Sequence, residues 1–325
     1  MPAAYILYVD IHTDLCAVRR NASKISNICK LIAVIKADAY GHGSVITAKA
    51  LARIADSFAV ATETEAKELL AAGVDRDILI LHPCRYPRLT AENVIYTLTC
   101  LRDVAAFSGR RTAIKLNTGM NRFGADAENA ATLIAAAKEN TLVSSVYSHF
   151  YDAADRSAVQ RQLDDFESMT RGCDLPRHIV SSGALTAEVP YGIARCGIAL
   201  YGGIKGYFPA MTVTAEVLET RMVHAGEHVG YGSGTLRKDA YIAVTDIGHA
   251  HGYRRLGKAR YMYVAGRRRK VVSVCMDCTL VECGRETKAG DIVEVMGGHI
   301  SPSELARSFG TNEYEVFTSL GTKRT

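Results

Sequence analysis

Short apolar runs separated by amphipathic stretches fill the first two thirds of the 325-residue chain. Eight such runs lie at residues 31–36, 58–61, 78–82, 94–98, 112–117, 143–149, 178–182 and 193–198. Helical periodicity is clearest between them, at residues 14–30, 47–55, 63–72 and 125–139. Buried strands that alternate with helices predict a (β/α)8 barrel of the TIM type, about 200 residues long. The pattern alone also permits a doubly wound sheet.

The sequence changes in character after Pro209. Strand-like runs follow, separated by glycine-rich turns, at residues 211–224, 240–247, 271–276 and 292–296. A helical pattern returns only at residues 303–309. We therefore expect an α/β protein with two domains: a barrel at residues 11–208 and a C-terminal β-rich domain at residues 209–325. The β-like start of the chain, within residues 1–10, is expected to join the second domain.

Charge and cysteine content exclude several classes of protein. The net charge of +5 is mild for this length and predicts no nucleic-acid partner. The one dense basic run, at residues 267–270, is predicted to be a solvated hairpin turn. An odd number of scattered cysteines, nine in all, indicates a reducing cytoplasm, and Cys275-Met276-Asp277-Cys278 has no second pair that would complete a metal site. We expect no membrane segment, because no apolar run approaches the required length.

A lysine ends the first apolar run of the predicted barrel. Lys36 would lie at the C-terminal end of a strand, where parallel α/β folds place their chemistry, and Tyr40 and two glycines follow it. A lysine amine acts as a base or forms a covalent link only if its site lowers its pKa. A surface lysine at a strand end explains the local pattern equally well.

The run VIKADAYGHG at residues 34–43 resembles the pyridoxal-phosphate (PLP) lysine motif of alanine racemases, a fold-type III family. Later segments match the same family in order, over nearly the full chain. The resemblance implies that PLP is attached to Lys36 and that the chain is an isomerase. It would interconvert the L and D forms of alanine or a related small amino acid and supply D-alanine, a peptidoglycan precursor. It also implies a homodimer in which the β domain of each subunit completes the other subunit's site.

Two further barrel segments carry the resemblance. KLNTGMNRFG at residues 115–124 resembles the family segment K-x-D-T-G-M-x-R-x-G, with Asn117 at the usual Asp position. By this resemblance Arg122 binds the substrate carboxylate and the cofactor hydroxyl, and Lys115, when carbamylated, orients Arg122. His149, which the residues alone would allow to be an ordinary core histidine, links the second base to the cofactor-side arginine.

Hydroxyl groups and backbone amides at residues 181–183 and 195–202 suit a phosphate dianion, although ordinary helix capping explains them as well. The resemblance assigns the cofactor phosphate to five residues, Ser182, Gly197, Ile198, Tyr40 and Tyr314. It places Arg195 against the pyridine nitrogen, where a fixed cation disfavours protonation of that nitrogen.

The C-terminal domain holds one match and one clear departure. The Gly230-Tyr231-Gly232 turn and the run VCMD at residues 274–277 match, which implies that the Met276 amide binds the substrate carboxylate. The run IGHAHGYRR at residues 247–255 stands where the family has G-Y-A-D-G-Y-x-R. His249 therefore occupies the place of the catalytic tyrosine, and His251 that of the aspartate. We expect Lys36 and His249 to be the two bases, serving the D side and the L side of Cα.

The sequence leaves two alternative functions open. One is another reaction on the same cofactor, such as epimerisation of a different amino acid or retro-aldol cleavage. The other is a non-catalytic PLP-binding protein. The matches at Arg122, Arg195 and Met276 favour an enzyme, because a cofactor carrier needs no clamp for a substrate carboxylate.

Overall fold

The computed structural model describes residues 9–186, 189–231, 235–255, 257 and 260–321. The chain forms two compact units. The barrel unit comprises Leu15–Ala39 and Gly43–Phe208, and the β unit comprises Met1–Asp14, Tyr40–His42 and Pro209–Thr325. The first described strand, β1 (Asp10–Thr13), belongs to the β unit and pairs there with a long strand that follows the barrel.

A closed parallel sheet forms the centre of the barrel unit. Its strands are β2 (Lys30–Val34), β3 (Ser57–Val60), β4 (Asp77–Ile80), β5 (Val94–Leu98), β6 (Arg111–Lys115), β7 (Leu142–Tyr147), β8 (Arg177–His178), β9 (Val180–Ser181) and β10 (Ile193–Cys196). They are hydrogen-bonded in the order β8-β7-β6-β5-β4-β3-β2-β10-β9. Only Ile179 separates β8 from β9, so the two ends of this order are consecutive pieces of one strand. The sheet therefore closes on itself, which confirms the (β/α)8 barrel and excludes the doubly wound sheet.

Helices follow most strands of the barrel. They are α1 (Leu15–Ser26), which precedes β2, the short α2 (Lys36–Gly41), α3 (Ser44–Leu51), α4 (Glu63–Ala71), α5 (Ala127–Asn140) and α6 (Arg156–Met169). Local sequence sets their ends. Thr62 and Glu65 form a reciprocal capping box at the start of α4, and the Asp155 carboxylate accepts backbone N–H groups at the start of α6.

The β unit contains an antiparallel sheet and two C-terminal helices. Besides β1, its strands are β11 (Met211–Val223), β12 (Ala240–Thr245), β13 (Tyr261–Val264), β14 (Arg267–Val274), β15 (Thr279–Cys283) and β16 (Ile292–Met296). Because β16 pairs with both β13 and β11, this sheet also closes into a barrel-like form. The helices α7 (Pro302–Phe309) and α8 (Glu313–Leu320) are capped by Ser301 and Asn312, whose side chains accept N–H bonds from the first turn.

The prediction for the basic run at residues 267–270 was wrong. The turn consists of Ala265 and Gly266, both with positive φ, and the arginines that follow form the start of β14, paired with β13. The charged ends of Arg268 and Arg269 reach the carboxylates of Glu304 and Glu286, so the basic run is tolerated within a strand. In the described part of the chain, no helix has the length and apolar character needed to cross a bilayer.

Candidate active site

Lys36 lies at the C-terminal mouth of the barrel, two residues after the end of β2. Burial lowers the pKa of its ammonium group, and the positive charge of Arg122 lowers the pKa further, while Glu65 acts in the opposite direction. A lowered pKa raises the fraction of free amine near neutral pH. Lys36 is therefore suited to act as a nucleophile or a base.

The backbone after Lys36 forms a left-handed turn. Ala37, Asp38, Ala39 and Tyr40 have φ values of 50° to 56°, and Gly41 follows at 81°. Residues other than glycine are disfavoured in this conformation by about 1–2 kcal/mol each. Such strain persists only where neighbouring contacts hold it in place.

Two carboxylates hold the left-handed turn. The Glu65 side chain, already part of the capping box of α4, accepts the Ala37 N–H at 2.7 Å. The Asp38 side chain accepts the Ser44 N–H at 2.6 Å, at the start of α3. The segment that begins at the catalytic candidate Lys36 is thus tied to the first turns of α3 and α4.

Four cations cluster at this mouth of the barrel. Burial lowers the pKa of Lys115, at the end of β6, to about 8, and the charges of Arg122, Arg195 and Lys36 contribute to the same shift. Among the described residues, no carboxylate lies within ion-pair distance of Lys115 or Arg195. A region with this excess of positive charge attracts anionic ligands.

Arg195, on β10, is almost fully buried and donates to two histidines. It bonds the His178 Nδ1 and the His178 carbonyl oxygen, and its second terminal nitrogen reaches the His149 Nδ1 at 3.2 Å and the Ser148 carbonyl oxygen. A guanidinium has only donors, so both Nδ1 atoms must be acceptors and both imidazoles must be neutral. The shifts agree: burial, followed by the Arg195 charge, lowers the pKa of His149 to about 3 and lowers that of His178 as well.

Ser182 and the residues after β10 form a small cradle of donors. The buried Ser182 Oγ accepts the Gly197 N–H at 3.1 Å and the Ala199 N–H at 3.3 Å, which leaves its own hydrogen available to donate. The Ile198 amide between them donates to no acceptor in the described residues. Hydroxyl and amide donors arranged in this way fit the oxygens of a phosphate.

The loop that carries Arg122 is organised by Asn117. The Asn117 side-chain oxygen accepts the N–H groups of Gly119 (3.2 Å) and Asn121 (2.9 Å), as a carboxylate could. Its amide group donates to the Asp126 carboxylate at 2.7 Å, which an aspartate could not do when ionised. The departure from the family's Asp is therefore compatible with the loop, and Arg122 itself is exposed there.

In the β unit, the structure brings Tyr40 and Tyr314 together, with their ring centroids 6.0 Å apart. Tyr314 belongs to α8, and the same helix packs against Gly41. A Cβ atom on Gly41 would lie 2.5 Å from the Gly321 Cα, so only glycine allows this approach. Two of the residues predicted to hold the phosphate are thus neighbours.

His249 and Met276 also come together in the β unit. The His249 N–H donates to the Cys275 carbonyl oxygen at 3.0 Å, and the Ala250 N–H donates to the Met276 carbonyl oxygen at 2.9 Å. A Cβ atom on Gly248 would overlap the Met276 carbonyl oxygen, so glycine is required for this contact. Both His249 and Met276 are exposed.

The His251 side chain holds the short 3₁₀ turn that carries His249. Its Nδ1 accepts the Gly248 N–H at 3.0 Å, which places the hydrogen of the neutral ring on Nε2. Within the described residues no hydrogen bond joins His251 to the His249 ring. Gly232 of the Gly-Tyr-Gly turn lies outside the residues that the structure describes.

Comparison with known proteins identifies the family of the chain. The profile of the alanine racemase N-terminal domain matches residues 13–205, and that of the alanine racemase C-terminal domain matches residues 210–325. The chain belongs to the alanine racemase family.

Curated relatives in the alanine racemase family resemble the chain over most of its length. The alanine racemase of Thermodesulfovibrio yellowstonii is 34% identical over 320 residues, which cover 90% of this chain and 88% of the relative. That of Vibrio cholerae is 32% identical, covering 98% and 95%.

Solved alanine racemase structures share the fold. The enzyme from D-cycloserine-producing Streptomyces lavendulae superimposes with a TM-score of 0.88 at 28% identity, covering 96% of this chain and 95% of that one. The enzyme from E. faecalis gives 0.88 at 27%, covering 98% of each.

Two residues that support the site were not identified from the sequence. His178 supports Arg195, bonds the Ser145 hydroxyl at 3.0 Å and stacks on Tyr147. A histidine in an apolar run is typical of a core residue, and only its position at a strand end distinguishes it. Glu65 contacts the segment after Lys36, and its sequence signal is the T-x-x-E capping box.

Proposed function

We propose that this chain is a PLP-dependent racemase that interconverts L- and D-alanine. The observation that carries the proposal is the environment of Lys36: a strand-end lysine with a lowered pKa, beside a cluster of cations that lacks carboxylate partners for Lys115 and Arg195. PLP and an amino-acid carboxylate are both anionic and would neutralise this cluster. The family of the chain supports the same conclusion.

The residues around Lys36 fit the cofactor. Lys36 would attach PLP, and Arg195, supported by His178 and His149, would hold the ring nitrogen. The donors proposed for the phosphate are the Ser182 hydroxyl, the Ile198 amide, and the hydroxyls of Tyr40 and Tyr314. The Gly197 amide, also proposed, bonds the Ser182 Oγ in this structure and would have to share its hydrogen with the phosphate. When bound, PLP withdraws electrons from the Cα–H bond of an attached amino acid and so makes that proton removable.

Two protein groups would move the Cα proton. The Lys36 amine removes or returns it on the D side, and the His249 imidazole does so on the L side. A neutral imidazole is already a base near pH 7, with a reference pKa of about 6.5, whereas a phenol, at about 10, needs strong activation. Histidine in the tyrosine position is therefore chemically compatible with two-base racemisation.

Arg122 and the Met276 backbone N–H would bind the substrate carboxylate. Lys115 would position Arg122: its amine attacks CO2 and releases a proton, and the resulting carbamate accepts hydrogen bonds from the guanidinium. The lowered pKa of Lys115 supports this role, because only the free amine reacts. His149, neutral at every physiological pH, would position Arg195 and would not carry protons itself.

We further propose a head-to-tail homodimer with shared sites. Met276 is 58% exposed in the single chain, and His249 beside it is exposed as well, which is unusual for groups that must act in a site shielded from water. In the dimer, the β unit of each subunit would bring His249 and Met276 to the other subunit's Lys36.

The first test is covalent trapping. Addition of PLP to the purified protein should produce an absorption band at visible wavelengths, and borohydride should then fix a pyridoxyl group on the peptide that contains Lys36. The Lys36→Ala chain is the control and should show neither. Trapping on another lysine would refute the proposal.

The second test is exchange of the Cα hydrogen in heavy water. Both enantiomers of alanine should take up deuterium and interconvert. Exchange of a single enantiomer without interconversion would rule out a racemase of alanine and favour an epimerase or a retro-aldolase.

A further inference from the structure

Cys275 and Cys278 close the hairpin between β14 and β15. The Cys275 N–H donates to the Cys278 carbonyl oxygen at 2.8 Å, and the two thiols are in hydrogen-bonding contact. The two residues face each other one step beyond the Val274–Thr279 pair. Residues that face each other across antiparallel strands have Cα atoms about 4.5–5.5 Å apart. That separation lies within the range of roughly 4.4–6.8 Å that disulfides require. The two sulfurs are therefore placed to bond without a large movement of the backbone.

The hairpin turn packs directly on the segment that carries His249. Two N–H groups, those of His249 and Ala250, donate to the carbonyl oxygens of Cys275 and Met276. Gly248 approaches the same two carbonyls so closely that no side chain fits. Any change in the turn geometry is therefore transmitted to the His249 backbone.

Redox chemistry suits this pair better than metal binding. In the described residues, no group of three or more His, Cys, Asp or Glu side chains could hold a metal ion. Both cysteines are half-buried, so a small oxidant can reach them. Burial raises the pKa of the Cys278 thiol, which suits Cys278 to the second, resolving step.

We propose that Cys275 and Cys278 form a reversible disulfide that lowers the turnover of this enzyme. The Cys275 thiolate attacks a low-molecular-weight disulfide such as glutathione disulfide and displaces one thiolate. The Cys278 thiolate then attacks the Cys275 sulfur of the mixed disulfide and displaces the second thiol. The protein loses two electrons and two protons, and the small disulfide is reduced to two thiols.

The effect on turnover follows from the length of the new bond. An S–S bond of about 2.05 Å is much shorter than a contact between two thiols, so closure draws the two sides of the turn together. Met276 lies between the two cysteines, so its backbone moves with the turn. This movement shifts both the Met276 amide proposed to bind substrate and the Met276 carbonyl that accepts the Ala250 N–H. This second part of the proposal rests on the proposed function.

The experiment maps thiols and measures turnover on the same samples of PLP-loaded protein. Protein is incubated with glutathione disulfide, free thiols are blocked with iodoacetamide, and thiols released by dithiothreitol are labelled with N-ethylmaleimide. Trypsin should release residues 271–285, a peptide that also contains Cys283. We expect N-ethylmaleimide on Cys275 and Cys278 and iodoacetamide on Cys283, at least a fivefold loss of turnover, and recovery after dithiothreitol.

The Cys278→Ser chain should retain the turnover of the reduced wild type and resist the oxidant, whereas a Cys84→Ser control should behave as wild type. Labelling that shows no Cys275–Cys278 bond overturns the proposal, as does equal inactivation of Cys278→Ser. A disulfide that leaves turnover unchanged refutes the proposed effect of the disulfide on turnover. Because labelling needs no activity, absence of racemase activity in the reduced protein would count against the proposed function alone.

Discussion

At the scale of single residues, the buried charge on Lys115 reduces the stability of the folded chain. A lysine that is charged in the unfolded chain must be buried among Arg122, Arg195 and Lys36 when the chain folds. The fall of its pKa from 10.5 to about 8 corresponds to about 3 kcal/mol of lost stability. A carbamate would replace this cation with an anion and reverse the unfavourable interaction.

We therefore expect Lys115→Met to be more stable than the wild type in CO2-free buffer at pH 7, by about 3 kcal/mol, although inactive. The difference in stability between the two proteins should have its full size below pH 8, where Lys115 is charged in both the folded and the unfolded chain. It should vanish as the pH rises from 8 to 10.5, where the unfolded chain also loses the charge. Chemical denaturation at several pH values measures it.

Bicarbonate should raise the stability of the wild type and leave Lys115→Met unchanged. A carbamate carbon signal from 13C-labelled CO2 should appear in the wild type and be missing from the variant. A wild type that is indifferent to bicarbonate would refute the carbamate.

His249 provides a second test at this scale. In His249→Phe, deuterium exchange at Cα of L-alanine should fall by at least about 100-fold, the loss typical of a general base. Exchange of D-alanine, which relies on Lys36, should persist. His251 holds the backbone of the turn that carries His249 and packs on Met276, the residue proposed to bind the substrate carboxylate. His251→Phe therefore serves as a matched control and should weaken the exchange of both enantiomers together. Equal loss of both in His249→Phe would exclude His249 as the L-side base.

At the scale of elements, the left-handed turn after Lys36 is a strained piece of backbone in an otherwise regular barrel. Four residues with side chains adopt positive φ there, held by Glu65 from α4 and by the Asp38–Ser44 bond at the start of α3. The strain is compatible with the fold only because the surrounding helices fix both ends.

Ala37→Gly should relieve part of this strain and raise the free energy of unfolding by up to about 1 kcal/mol, since glycine adopts φ of 51° freely. Ala131, exposed in the right-handed helix α5, is the matched control. There the same substitution should destabilise by about 0.5–1 kcal/mol. Urea denaturation of the two variants compares the signs, and destabilisation by Ala37→Gly would contradict the strain argument.

At the scale of the whole molecule, the homodimer proposed above would complete each site with residues from two chains. The barrel unit holds Lys36, Arg122 and Arg195, and the β unit holds His249 and Met276. A two-fold homodimer can place the β unit of one subunit over the barrel unit of the other in both directions at once.

Equal mixing of the inactive chains Lys36→Ala and His249→Phe should then restore activity. Half of the randomly assembled dimers contain one chain of each kind, and each of these has one intact site. The mixture should reach about a quarter of the wild-type activity, by the symmetry of a two-fold interface. No restoration after unfolding and refolding the chains together, or a fully active monomer in sedimentation, would refute the shared site.

The sequence by itself determined the class of fold and the place of Lys36. Apolar runs of strand length and the motif around Lys36 are local signals, because side-chain periodicity and steric limits act over a few residues. The closure of the barrel at Ile179 confirms what those runs predicted.

Only the tertiary structure decided how the site is supported. The bonds of Arg195 to His178 and His149, the clamp of Glu65 on Ala37 and the packing of Gly248 on Met276 each join residues that lie 17 to 46 positions apart. A hydrogen bond between such residues depends on where the fold places both partners, and no local propensity encodes that. The strands β13 and β15 and the left-handed turn were not predicted either, because contacts between distant parts of the chain override local preference.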